Sequence, residues 1–180
     1  IILTACFIEL QLSHAKSPRF FNRLIKFNLY FVGIVAIIGV FIVQCFPGTL
    51  SSTKTLPEYG ADDVTLDMYG WTQIEPVFKQ LRETDQINHV MTKDAALLTN
   101  KWFPGGHLLF YVAMPLHMRV VGEGTLDDLH KFVWLNKKMG NVSIGEDAYY
   151  ITISNYYKNP NKIYQSDFDK INLARVFVQY

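Results

Sequence analysis

An uncharged run over residues 27–53 constrains the fold of this chain more than any other feature. Its central part, residues 29–43, reads LYFVGIVAIIGVFIV; Lys26 precedes the run, and Pro47 ends its apolar part. A helix rises 1.5 Å per residue, so about 20 apolar residues cross the ~30 Å hydrocarbon core of a bilayer. A buried helix of a soluble domain is the alternative, but it would carry a polar stripe, and residues 29–43 have none. The sequence therefore predicts a transmembrane helix over residues 27–47.

The segment before this helix is basic. Residues 13–26 contain no acid and four cations, Lys16, Arg19, Arg23 and Lys26. Short loops rich in Lys and Arg lie on the cytoplasmic side of membrane helices. We therefore expect residues 13–26 to be a cytoplasmic loop of a protein in the inner (plasma) membrane, and residues after about 47 to be extracytoplasmic.

The first and last residues indicate a longer parent protein. Residues 1–12 are mostly apolar, lack an initiating Met and carry one charge, Glu9, so we read them as the end of a preceding membrane helix. A cleaved signal peptide is the alternative, but its apolar part would be shorter and would end in small residues. The alternating pattern of residues 174–180 indicates a strand that the end of the chain interrupts.

Charge and cysteine content separate the two parts of the chain. Residues 1–47 carry four Lys/Arg and one acid, whereas the remainder carries 13 Lys/Arg and 15 acids. The scattered cations form no nucleic-acid patch. Cys6 and Cys45 both lie in apolar segments, which excludes disulfides and cysteine-ligated zinc from the outer part. Residues 48–66 are polar and rich in turn formers, and we read them as a linker.

Residues 67–180 are sufficient for one domain with its own core. A helix is predicted near Trp71, starting either with a capping box of Thr72 and Glu75 or with Pro76 at its first position. Four apolar residues have the spacing of one buried helical face: Ile74, Val77, Phe78 and Leu81.

The remaining elements alternate between helix and strand. Helices are predicted from Asp94 towards Trp102, where the Pro-Gly-Gly of residues 104–106 would end the helix, and from Thr125 onwards. Strands are predicted at 89–92, 118–121, 148–154 and 173–180; residues 107–114 fit either strand or helix, and 155–161 form a loop. The fold class is therefore α/β: an N-terminal transmembrane helix followed by a small layered domain with a mainly parallel sheet.

No sequence motif assigns a reaction or a metal. The four histidines after the apolar run have neither i, i+4 partners nor cysteine neighbours, so we read them as structural or surface residues: His89, His107, His117 and His130. Two adjacent carboxylate pairs, Asp62-Asp63 and Asp127-Asp128, are expected to serve in capping and solvation, because neighbouring side chains point in different directions. Phosphate-binding glycine motifs and a nucleophile elbow are absent from the sequence.

Aromatic residues gather around two predicted turns, near His107 and His130: Trp102, Phe103, Phe110, Tyr111, Phe132 and Trp134. Such a group suits an ordinary core or a surface at the membrane interface, where Trp and Tyr concentrate. It also suits the binding of a sugar or a lipid headgroup. The sequence leaves these alternatives open.

Four segments carry a resemblance to a known family. They read DMYGW at 67–71, KWFPGGHLLFYVAMP at 101–115, HKFVWLN at 130–136 and GEDAYYI at 145–151. Together with the preceding helix, most of residues 27–180 resembles the last membrane helix and extracytoplasmic domain of bacterial relatives of the dolichyl-phosphate-mannose–protein mannosyltransferases. The aminoarabinose transferases that act on lipid A belong to this group.

The resemblance implies the C-terminal, non-catalytic portion of a polytopic inverting glycosyltransferase. Such an enzyme takes a sugar from a polyprenyl-phosphate donor and transfers it to a glycan, lipid or protein acceptor outside the cytoplasm. Its acidic catalytic residues, often with a divalent metal, lie in an early external loop outside this chain. The fragment alone is therefore expected to be inactive and to hold no cofactor or metal, with the bilayer and the lipid-linked sugar as partners and no nucleic acid.

Polar ends beside an apolar, aromatic stretch motivate a hypothesis about substrate contacts. We expect the phosphate or sugar to be contacted by four residues: Lys101, His107, Tyr111 and Arg119. Two other functions remain open: a membrane-anchored module that binds a glycan or a protein without catalysis, and a structural part of a membrane complex.

Overall fold

A computed structural model describes residues 9–10 and 18–178 of this chain. Contacts divide the chain into two compact units, Ile1–Pro47 and Gly48–Tyr180. The predicted end of a preceding helix and the start of the basic loop lie largely outside the described residues, as do the last two residues of the predicted C-terminal strand.

The first unit is dominated by one long helix, α1 (Pro18–Cys45). It begins nine residues before the predicted span, so Arg19, Arg23 and Lys26 occupy its first turns. Its apolar window lies within Arg19–Cys45 and has a mean hydropathy of 2.2, and none of that window is buried. Length and composition thus make α1 a candidate membrane span.

A three-stranded parallel sheet organises the second unit. Its strands are β1 (Ala96–Thr99), β2 (Val120–Gly122) and β3 (Ala148–Tyr150), in the order β2-β1-β3. In the register, Leu97 lies opposite Val120 on one side and Tyr149 on the other. The predicted α/β class with a parallel sheet is confirmed for this unit.

Alternate residues of the strands build two cores. Leu97, Val120 and Tyr149 belong to the larger core, whereas Leu98 and Val121 belong to a smaller one on the opposite face. Because successive strand residues point to opposite faces, a strand buried on both faces reads as a continuous apolar run.

The larger core is covered by four helical segments. Helix α2 (Ile74–Ile87) follows a 3-10 turn at Trp71–Gln73, and helix α3 (Trp102–Leu108) continues into a π-helix at Leu109–Ala113. Helices α4 (Leu126–Leu129) and α5 (Lys131–Met139) follow β2 and contribute Leu129 and Phe132 to this core.

A short helix covers the smaller core. After a 3-10 turn at Ser154–Tyr156, helix α6 (Pro160–Tyr164) buries Tyr164 beneath the sheet. Phe168 and Ile171 pack there from the segment that follows.

Several local predictions are confirmed. Helix α2 exists, although Pro76 is its third residue and no side chain caps its start. Thr125 caps α4 by accepting a hydrogen bond from the Asp128 amide, and its hydroxyl donates to the Asp128 carboxylate. The ambiguous run 107–114 is mainly helical.

Other local predictions are wrong. Residues 89–92, 151–153 and 173–178 are outside helices and strands, and 155–161 include part of a 3-10 turn and the start of α6. The helix predicted after Asp94 is instead strand β1, because a short run buried on both faces has no periodicity that separates strand from helix.

Gly105 explains why Pro-Gly-Gly lies inside α3 rather than at its end. A Cβ on Gly105 would approach Thr99 and Phe132 to 2.7–2.9 Å, whereas a Cβ on Gly106 would meet nothing within 4 Å. Glycine at 105 lets α3 lie close against β1. Its role is in packing, not in helix termination.

Residues 48–66, predicted as a linker, form hydrogen-bonded turns around Asp63, whose side chain is 1% exposed. Its carboxylate accepts hydrogen bonds from the amides of Leu50, Ser51 and Thr65 and from the Thr65 hydroxyl. Burial alone would raise the pKa of Asp63, but these hydrogen bonds outweigh it and hold the pKa below its ordinary value. Asp63 therefore organises this segment, which its predicted role in capping or solvation did not anticipate.

Three histidines lie where elements end. His89 follows α2, His117 follows the π-helix, and His130 separates α4 from α5; their φ angles are 54°, 52° and 46°. Positive φ is uncommon for residues other than glycine, and histidine is among those enriched there. Their structural assignment agrees with this geometry.

Candidate functional site

The strand order singles out one end of the sheet. The connection after β1 leads to β2 on one side, and the connection after β2 leads to β3 on the other side of β1. Where strand order reverses in an open parallel sheet, loops at the carboxyl ends separate and leave a crevice in which ligands bind. In this domain the reversal lies between β1 and β3.

Polar and aromatic side chains follow both strands at this point. Asn100 and Lys101 come directly after β1, and Asn155 and Tyr156 lie shortly after β3. The Lys101 Nζ atom lies 5.4 Å from the centre of the Tyr156 ring, close enough for a cation–π contact. The two loops therefore meet at the carboxyl edge of the sheet.

A cleft of about 180 Å³ lies here, which we call the carboxyl-edge cleft. It is lined by Asp62, Val64, Asp67, Asn155 and Tyr156. The Asn155 Nδ2 atom donates to the Asp67 carboxylate over 3.1 Å. Since one water occupies ~30 Å³ of liquid and drug-sized pockets begin near 300 Å³, the cleft suits one small polar group.

An aromatic stack stands beside this cleft. His107 lies nearly parallel to Trp71, with ring centres 4.4 Å apart, and nearly parallel to Tyr111 at 5.9 Å. The centre of the Phe103 ring lies 4.8 Å from that of His107 and 5.7 Å from that of Tyr156, so Phe103 connects the stack to the cleft. The Trp71 indole donates to the backbone oxygen of Asp67 over 2.7 Å, which fixes the position of that residue.

Burial and the negative charge of Asp67 change the pKa values of two residues at this site, His107 and Tyr156. Burial lowers the pKa of His107, and the negative charge of Asp67 opposes that shift. His107 is therefore largely neutral at pH 7. Burial, followed by the hydrogen bond to Asp67 and the negative charges of Asp67 and Asp62, raises the pKa of Tyr156 to about 12, so its hydroxyl stays protonated.

Three of the four predicted contact residues lie in or beside this arrangement. Lys101 lies over Tyr156, while His107 and Tyr111 belong to the stack. The structure places Arg119 elsewhere, immediately before β2 at the amino edge, where it is ion-paired with Glu146 and donates to the backbone oxygen of Asn141. Arg119 pairs with groups of its own chain and holds the start of β2.

The predicted aromatic group divides between core and surface. Phe132 is buried, whereas Trp102, Phe110 and Trp134 are exposed. Trp102 contacts His130 at 5.5 Å. Only Phe103 and Tyr111 of the group join the stack.

Sequence reasoning missed the residues that line the cleft. Asp67 stood only as the first residue of DMYGW, one of the segments that carry the resemblance, and Asn155 and Tyr156 were assigned to a loop. The available signal was their position at the end of the predicted strand 148–154, since loops at the carboxyl ends of parallel strands often bind ligands. That signal needed the strand order, which pairing between distant residues determines.

A second, larger cleft of about 400 Å³ lies at the amino edge, beside Asp147, which precedes β3. The Thr92 amide donates to the Asp147 carboxylate there over 2.8 Å. Within residues 9–10 and 18–178, no three His, Cys, Asp or Glu side chains are grouped to hold a metal ion.

No protein-family model, curated protein or solved structure matches this chain. The resemblance to membrane glycosyltransferases thus stays an expectation drawn from its residues.

Proposed function

We propose that this chain is the C-terminal portion of a polytopic membrane glycosyltransferase that uses a polyprenyl-phosphate sugar donor. In this proposal α1 spans the inner membrane, and the unit Gly48–Tyr180 lies on its extracytoplasmic side. The carboxyl-edge cleft binds one polar group, such as a hydroxyl, of the donor or acceptor sugar. The residues that carry out transfer belong to other parts of the longer protein.

The combination of groups at the carboxyl-edge cleft carries this proposal. A carboxylate offers several acceptor positions, so Asp67 can accept from a sugar hydroxyl while it holds Asn155. Tyr156 offers an aromatic face beside the cleft, and Lys101 brings a positive charge to the same ring. Sugars carry both hydroxyls and apolar ring faces, and the phosphate of a lipid carrier attracts a cation.

The parent enzyme keeps the lipid tail of its donor in the bilayer, so transfer has to occur at the membrane surface. A soluble unit attached to a membrane helix can orient the sugar there and exclude water from the reaction. His107, neutral at pH 7, supplies packing through the stack and no competing charge.

A non-catalytic glycan-binding module is the second candidate. It is favoured by the state of Asp67, whose carboxylate already accepts a hydrogen bond from Asn155 and so acts as a fixed binding group. Both candidates use the same cleft and differ in whether sugar transfer occurs.

The test measures transfer of radiolabelled sugar from a polyprenyl-phosphate carrier, in membranes that contain the full-length protein. We expect Tyr156→Ala and Asp67→Asn each to lower transfer about three- to tenfold, since each removes one net hydrogen bond or ring contact worth ~0.5–1.5 kcal/mol. Tyr157→Ala and Asp127→Asn are the matched controls, because neither residue lines the cleft.

Wild-type transfer rates in both cleft variants would exclude the cleft as the sugar site. An absence of transfer by the wild-type protein with every polyprenyl donor, together with glycan binding that depends on Tyr156, would instead favour the binding module.

A further inference from the structure

The segment 48–68, which we call the membrane-proximal loop, exposes several large apolar side chains. Leu50, Leu56, Val64 and Met68 are each between 61% and 69% exposed. Single exposed apolar residues are ordinary on soluble proteins, whereas a contiguous apolar patch marks a protein or membrane interaction site.

Chain connectivity keeps the start of this loop near the end of α1. Leu50 is three residues beyond Pro47, and three extended residues reach at most about 11 Å. The headgroup layer on each side of a bilayer is roughly 5–8 Å thick. If α1 spans the membrane to Pro47, Leu50 has to lie in or next to that layer.

Hydrogen bonds hold Asp63, in the second half of the loop, against the start of the loop at Leu50 and Ser51. The Asp63 carboxylate accepts from the Leu50 amide over 2.7 Å and from the Ser51 amide over 2.9 Å. Val64 is the next residue along the chain, so these bonds through Asp63 keep it near Leu50 in the fold of the loop. The loop is therefore a folded structure and not an extended tether.

The polar residues of the loop also suit a membrane surface. The Lys54 Nζ atom donates to the backbone oxygen of Gly48 and lies 5.7 Å from the centre of the Tyr59 ring. Tyrosine is enriched at the level of lipid headgroups, and lysine is attracted to their phosphates.

We infer that the membrane-proximal loop lies in the headgroup layer of the adjacent leaflet, with Leu50, Leu56 and Val64 reaching the acyl boundary. This inference rests on the proposed membrane span of α1. The occupant of the apolar surface is thus phospholipid.

Membrane seating of this loop would also set the position of the carboxyl-edge cleft. Asp62, Val64 and Asp67 belong both to the loop and to the lining of the cleft. A sugar attached to a membrane lipid would then reach the cleft, whereas the site would be partly screened from large soluble glycans.

The test places an environment-sensitive fluorophore on single cysteines at 50, 56 or 64 of the full chain in phospholipid nanodiscs, after Cys6→Ser and Cys45→Ser. Labels at Ile87 and Ile144 are the controls, since both side chains are strongly exposed in other parts of the unit. A label at Val35, within α1, is read with lipids that carry a nitroxide deep in the acyl chain, and it reports on the span itself. Circular dichroism melting of every labelled protein checks that it is folded.

We expect lipids that carry a shallow nitroxide to remove most of the fluorescence at 56 and 64 and little at 87 and 144. Equal quenching at all four positions, with the Val35 label still quenched, overturns the inference while the span stands. Labels at 56 and 64 whose emission shows shielding from water, but which nitroxide lipids do not quench, would indicate that protein covers the loop. This result would also overturn the inference. An unquenched Val35 label overturns the inference together with the proposed span.

Discussion

The two edges of the parallel sheet each hold a cleft and a cation predicted to bind ligand, but they are built differently. At the carboxyl edge, Lys101 lies over the Tyr156 ring beside a cleft of about 180 Å³. At the amino edge, Arg119 is ion-paired with Glu146, and the nearby strand β3 begins beside a cleft of about 400 Å³. The comparison separates a cation beside a candidate binding cleft from one that is ion-paired within the fold.

Cleft size alone would have selected the other edge. The strand order gives a physical reason to prefer the carboxyl edge, because its loops diverge only at the reversal between β1 and β3. At the amino edge, the Asp147 carboxylate is used to hold the Thr92 amide. Connectivity therefore distinguishes a candidate site from a surface depression.

The largest expected effect tests how tightly the carboxyl edge is packed. Gly105→Ala should lower the free energy of unfolding by about 1–3 kcal/mol, because its Cβ would overlap Thr99 and Phe132. Gly106→Ala, one residue further along α3, should be neutral or stabilising by about 0.4–1 kcal/mol, because its Cβ meets open space. Urea unfolding of both variants measures the difference. Equal effects at the two positions would contradict the close approach of α3 to β1.

The two cations should separate stability from binding. Arg119→Met should cost about 1 kcal/mol of unfolding free energy, since it removes a partly exposed ion pair and the bond to Asn141, and it should leave sugar transfer unchanged. Lys101→Met should do the reverse and lower transfer with little change in unfolding. Chemical unfolding and membrane transfer assays on both variants check this. Loss of transfer in Arg119→Met at full stability would place a second substrate contact at the amino edge.

The smallest expected effect concerns pH. Burial lowers the pKa of His107 in the folded state, so the unfolded chain binds more protons below the ordinary histidine value of about 6.5. Stability should therefore be fully present above that value and decline as pH falls through the lowered pKa. His107→Gln should flatten this decline in a melting series between pH 5 and 8. His117→Gln, which leaves the Trp71–His107 stack intact, is the control, and an unchanged decline in His107→Gln would contradict the assignment.

Local sequence patterns predicted the parts of the fold that depend on local chemistry. The apolar run predicted α1, the spacing of Ile74 and Phe78 predicted α2, and Thr125 predicted the cap of α4. Strand β1 was missed because Ala96–Thr99 is buried on both faces and so lacks alternation. Gly105 was taken for a helix breaker because its close neighbours, Thr99 and Phe132, come from other elements.

In the candidate site, too, local features could be predicted from the sequence and contacts between distant segments could not. Lys101, His107 and Tyr111 were accessible to sequence reasoning, because charge and aromatic character within one segment are visible along the chain. Asp67 and Tyr156 were not, because their proximity depends on the order of the strands. The ion pair of Arg119 was likewise hidden from the sequence, because its partner Glu146 lies 27 residues away.

The backbone angles of three histidines have a consequence for how this protein can vary. His89, His117 and His130 each turn the chain at the end of a helix with a positive φ. A replacement there has to adopt a positive φ, so glycine and asparagine are expected to be tolerated better than residues that merely resemble histidine in acid–base chemistry. Replacement of these histidines by asparagine or glycine is therefore expected to remove the imidazole and leave the path of the chain unchanged.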